Sequence, residues 1–140
     1  MALAVQGRGL PAIYLWGYSA EMTVKAAYFA FIGFADEQPI AIADLANARA
    51  FALSTLGIVW PSAGWGHNVA CWAELLVAHR VHAGQAYRSR HFRSAVVRNA
   101  WGIYLRWRET LRYHRNRAYG HEVMTVRGAT RWLLDNSTRL

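Results

Sequence analysis

Between Phe92 and Leu111 the apolar positions Phe92, Val96, Ala100, Ile103, Trp107 and Leu111 recur at steps of three and four, the interval that gathers side chains on one side of an α-helix. The same interval joins Val69, Trp72, Leu75, Leu76 and His79 and predicts a helix starting near His67 or Asn68, where Asn is a competent cap. No segment shows the sustained apolar–polar alternation of a half-buried strand, and no Pro follows Pro61, so helices joined by short bends account for the pattern. A first helix is expected from about Pro11 to Gly33, with Asp36–Pro39 as a loop. A second covers "IADLANARAFALSTLG", with Asp44 near its start and Gly57 at its stop, and "WPSAGWG" is the turn that follows. "HAGQAYRS" separates the third helix from the fourth, and Gly120 separates the fourth from a last helix over roughly Glu122 to Leu134, with Val123, Val126, Thr130, Leu133 and Leu134 available for packing. The prediction is an all-α, up-and-down bundle of about five helices forming one domain over residues 1–140.

The apolar stretch from Leu10 to Phe34 raises the question of a membrane span, which Glu21 and Lys25 in its middle argue against, because hydrocarbon penalises both charges. Four residues apart, they share a helical face with Glu on the favourable N-terminal side. A core helix and no membrane partner are therefore expected. The only cysteine is Cys71 and the start of the chain has no secretory-signal pattern, so a reducing cytoplasm is the expected compartment. Hydrophobic residues make up 54% of the chain and seven are Trp, more than the interior of so small a domain needs, and self-association as a homodimer is expected.

Charge divides the chain in two. Up to His79 the formal balance is −2, and from Arg80 onward it is +10; all but one of the sixteen basic residues are Arg. Arginine presents a planar fork that grips phosphate bidentately, so the C-terminal half carries the footprint of a nucleic-acid binder, although an anionic small molecule or acidic protein would also be drawn to it. Arg98, Arg106, Arg108, Arg112 and Arg117 are the candidate phosphate contacts. Arg108, Arg112 and Arg115 form a second stripe along the end of the fourth helix.

Candidate chemistry concentrates in "RYHRNRAYGHEV", residues 112–123. Arg115 lies at the end of one helix and His121 at the beginning of the next, and Gly120 allows the bend through which they converge. Cutting RNA without a metal needs a base near neutral pH for the 2′-hydroxyl proton and cationic donors for charge developing on the phosphate. His121 supplies the first and Arg115 the second, and Asn116 can hold a phosphate oxygen or orient His121. The same residues also suit plain helix ends, with His121 and Asn116 as caps and Arg115 solvated. Elsewhere, His79 and His82 share a helix face but lack a convincing third metal ligand, His67 and Glu74 being the available additions; no metal and no other cofactor is expected. Cys71 is expected to be buried beside Trp72 with no group to activate it. Trp16, Trp72, Trp101, Trp107 and Trp132 read as core or interface anchors, whereas Trp60 and Trp65 could instead line a groove.

Arg115-Asn116, followed after four residues by His121, resembles the Arg-x(4–6)-His motif of the HEPN family, in which a polar residue, often Asn, follows the Arg. "GYSAEMTVKAAYF" at 17–29 resembles the first helix of that family, and "GHNVACWAELL" at 66–76 its His-polar-apolar helix start. The resemblance implies a helical bundle with the motif between its last two long helices and an Arg–His pair meeting at a dimer interface. It also implies metal-independent endoribonuclease activity or a non-catalytic nucleotide-, nucleic-acid- or protein-binding module, with a nucleotidyltransferase or antitoxin as partner in a toxin or defence system. Arg115 and His121 would be the catalytic pair and Asn116 the accessory residue. Val123 stands where one toxin-like pattern places a Tyr. A helical adaptor in a larger assembly is the remaining alternative.

Overall fold

The computed structural model describes the backbone of residues 9–112 and 119–140, and side chains from 11–107 and 119–140. Five α-helices, and among the described residues no strand, make up the fold: α1 (Gly9–Phe31), α2 (Ile42–Ser54), α3 (Val69–His82), α4 (Arg90–Arg112) and α5 (Gly120–Asp135), with single 3-10 turns at Trp65–His67 and Ser137–Arg139.

Local chemistry explains the boundaries. Asp44 Oδ2 accepts the backbone N–H of Ala41 at 2.8 Å and closes the start of α2, as a carboxylate in the first turn of a helix does. Asn68 Oδ1 accepts from Cys71 N at 3.0 Å at the head of α3, and Ser89 Oγ accepts from Phe92 N at 3.1 Å at the head of α4. Glu122 Oε2 accepts from Tyr119 N at 2.8 Å at the head of α5. The chain leaves α1 through Gly33 (φ 103°) and α2 through Gly57 (φ 65°), the left-handed conformation that a residue without a Cβ adopts at little cost.

Helices α1, α3, α4 and α5 pack as a four-helix arrangement in which α1 meets all three others and α4 lies between α3 and α5. Contacts from Glu21 to His67, Tyr28 to Trp72 and Phe31 to His79 advance together along α1 and α3, so these two run in the same sense, with α2 and its loops carrying the chain back. From α3 onward the sense alternates: Glu74 meets Trp101 across α3 and α4, and Phe92 meets Trp132 across α4 and α5. Ile13, Val24, Phe29, Trp72, Leu75, Leu76, Val96, Ile103, Val126 and Leu133 are buried between them. The predicted α4 stripe is buried from Phe92 to Trp107; Leu111 lies outside the described side chains. Of the two tryptophans left open by the sequence, Trp60 is in the core, edge-on to Trp72 at 5.0 Å. Trp65 is half-buried beneath the Arg49 guanidinium, 5.7 Å from its ring centre.

Candidate functional site

His121 is the second residue of α5 and is exposed. Its ring lies parallel to that of Tyr119, with 9° between planes and 5.9 Å between centres, and both side chains are open to solvent. The capping role that the sequence also allowed for His121 is filled by Glu122, whose carboxylate is buried and bonds the Tyr119 N–H. Imidazole and cap are thus separate jobs at adjacent positions. Arg115, Asn116 and Arg117 lie outside the described residues; Arg108 and Arg112 are in the last turns of α4, with side chains outside the described set.

The other predicted phosphate contacts divide. Arg98 is exposed on α4, whereas Arg106 is half-buried and donates from Nη1 to the Gly102 carbonyl one turn back, at 3.3 Å. Two further arginines are half-buried against the fold: Arg80 stacks 4.3 Å from the Tyr87 ring centre, and Arg49 donates to the Trp60 carbonyl at 2.9 Å; Arg139 stacks 4.2 Å from the Phe92 ring centre and stays exposed. None of these contacts removes a guanidinium's charge; among the described residues Arg88, Arg90, Arg98, Arg127 and Arg131 are exposed as well.

A second cluster of ionisable side chains sits inside the bundle. Lys25 Nζ donates to Glu21 Oε1 at 2.5 Å with both side chains buried, and the ammonium also lies 5.4 Å from the Trp72 ring centre. The His67 Nδ1 stands 3.1 Å from the same Glu21 oxygen. A carboxylate facing Lys is an acceptor, so Nδ1 carries the hydrogen. The sequence spacing showed the Glu21–Lys25 pair; the 46-residue separation to His67 left this third member unreadable, although its place at the helix start was marked. The geometry ties the turn before α3 to the middle of α1, and a buried pair of this kind is tolerated because each charge has its counter-charge and hydrogen bonds.

His79, considered above for a metal with His82, is instead held by rings. Its Nδ1 shares a 3.1 Å hydrogen bond with the Tyr28 hydroxyl, and its ring lies 4.4 Å from that of Phe51. Burial, and secondarily the neighbouring His82, push its pKa below the usual value, which keeps it neutral where α2 docks. Glu74 accepts from Trp101 Nε1 at 2.9 Å, so it and His67 are both committed elsewhere. Among the described residues no three His, Cys, Asp or Glu side chains are grouped to hold a metal. Burial, aided by Glu74, raises the Cys71 thiol to about 12, which removes it as a nucleophile near neutral pH. Among the described residues, no helix is long and apolar enough to cross a membrane.

Comparison with family models, curated proteins and solved structures returned no match.

Proposed function

We propose that the chain is a HEPN-like, metal-independent endoribonuclease of a cytoplasmic toxin or defence system, acting as a homodimer, with His121 as the base and Arg115 as the donor to the phosphate. The observation that carries the reading is the exposed His121 ring, stacked on Tyr119 and free of the capping task that Glu122 performs. A catalytic imidazole must be able to reach its substrate, and the exposure of His121 at the head of α5 supports that role. The arginine-rich stretch that precedes it supplies the cationic half of the reaction: His121 takes the 2′-hydroxyl proton, the 2′-oxygen attacks phosphorus, and the bond to the 5′-oxygen of the next nucleotide breaks as that oxygen takes a proton from water and leaves as a hydroxyl. Arg115 and Asn116 bind the charge that develops on the non-bridging oxygens, and the product ends in a 2′,3′-cyclic phosphate. Arg108 and Arg112 position neighbouring phosphates.

The experiment incubates the pure protein with labelled RNA and with DNA of the same sequence, in the presence of a chelator. Cleavage of RNA alone, leaving a cyclic phosphate, is expected, because the attacking group is the 2′-hydroxyl. Cutting of both polymers, or cutting abolished by the chelator, contradicts the mechanism. Salt-sensitive binding without cutting leaves the catalytically silent binding module.

A further inference from the structure

We propose that the groove between α3 and α4 is a second phosphate-holding subsite, remote from His121, which grips the backbone of a single polynucleotide strand through Arg90, Arg93 and Arg98. The identity of that strand as RNA rests on the reading above. The groove is an open concavity of about 600 Å³, lined by Val77 of α3 and by Arg90, Arg93, Ser94, Val97 and Arg98 of α4. The α4 residues follow one another at steps of three, one, three and one, so they share a helix face, and from Arg90 to Arg98 they extend about 12 Å along it at 1.5 Å per residue. Three guanidinium groups thus line one side of a single depression.

None of the three is neutralised inside the protein. Both ion pairs among the described residues belong to Glu21, and no aromatic ring among them stands over these guanidinium groups, in contrast to Arg80 and Arg139. Arg90 and Arg93 are like charges three residues apart on a helix, a small mutual destabilisation that a bound anion relieves. An Arg fork meets a phosphate with two parallel hydrogen bonds, the Ser94 hydroxyl is a further donor, and Val77 and Val97 give a sugar an apolar floor. The lining holds no aromatic side chain on which a base could stack, so the chemistry tracks the backbone and is indifferent to sequence.

Position adds a length requirement. Arg98 and Arg112 are fourteen residues apart on one helix, about 21 Å, so the groove holds a part of the strand well away from the bond that is cut.

The test uses the full chain and a long 2′-O-methyl oligouridine, which lacks the nucleophile and stays intact, with binding followed by fluorescence anisotropy over a range of salt. The double variant Arg90→Gln/Arg93→Gln is compared with Arg127→Gln/Arg131→Gln, which removes the same charge from the exposed surface of α5. The groove variant is expected to bind the strand more weakly and to lower the slope of log affinity against log salt by about 1.4, roughly 0.7 per lost contact. The α5 variant is expected to lose clearly less affinity and less slope than the groove variant, and Arg90→Lys/Arg93→Lys to restore most of what the Gln variant loses. Equal losses in the two Gln variants would reduce the groove to part of a general field, and no loss in the groove variant would remove it as a subsite; either overturns the proposal. Displacement of the strand by adenosine monophosphate as effectively as by unlabelled oligomer would assign the groove to a mononucleotide and also overturn it. Because the probe cannot be cut, this result is independent of whether His121 is catalytic.

Discussion

Glu21, Lys25 and His67 contribute unequally to what looks like one network. Glu21 is 1% exposed and Lys25 almost as inaccessible, while the His67 side chain is 71% exposed. Removing one partner of a buried pair leaves the other charge without compensation, at a cost of about 3–5 kcal/mol. Lys25→Met is therefore expected to lower the melting temperature strongly, whereas Glu21→Gln combined with Lys25→Met, which removes both charges, is expected to recover much of the loss. His67→Ala should cost no more than about 1 kcal/mol, as solvent-exposed pairs do. Thermal unfolding of the four proteins followed by circular dichroism checks the order; a Lys25→Met variant as stable as wild type would mean that the ion pair is not holding α1.

At the scale of helices, α1 and α4 meet where a glycine faces an indole. A Cβ placed on Gly17 would stand 2.8 Å from Cδ2 and 3.1 Å from Cε3 of Trp107, closer than carbon atoms pack. Gly17→Ala gains up to about 1 kcal/mol of helix propensity, but overpacking of a fitted contact costs about 1–3 kcal/mol, and Trp107 cannot yield freely because its ring is buried. The expected outcome is a lower melting temperature, read in the same unfolding assay; a raised one would show that the helices separate without cost. Helix periodicity made most of this framework legible before any coordinates. The Phe92–Trp107 stripe, the Asn68 cap and the Gly57 exit all lie where spacing and turn chemistry placed them. What the pattern lacked was partnership across the bundle. Nothing near Gly17 announces Trp107, ninety residues on, and nothing near Glu21 announces His67. The groove was hidden for the same reason: the spacing of Arg90 and Arg93 is visible in the sequence, but a concavity needs Val77 from another helix. Around His121, the sequence marked the histidine and left open whether it caps α5; the buried carboxylate of Glu122 decides the cap, while Arg115 and Asn116 lie outside the described residues.

Across the whole molecule, charge and apolar surface are unevenly spread. Arginines that look equivalent in the sequence separate into those half-buried against rings, such as Arg49 and Arg80, and those left to solvent, such as Arg90 and Arg98. Tyr14, Tyr18 and Met22 recur every fourth residue on α1, each about half exposed; such a row is consistent with the proposed homodimer, in which two motifs would share one interface. In the proposed reaction Arg115 and His121 do different work, and cleavage rates of purified His121→Ala, Arg115→Ala and Arg117→Ala, measured on one RNA beside its binding affinity, separate the two roles. His121→Ala is expected to lose cleavage while largely retaining RNA binding, since its proposed task is removal of the 2′-hydroxyl proton and the arginines carry the phosphate contacts. Arg115→Ala is expected to lose cleavage and part of the binding, and Arg117→Ala, equally basic and two residues away, to keep most of its rate. Equal and small losses in all three would rule out the Arg115–His121 reaction and leave residues 112–123 as a solvated basic stretch.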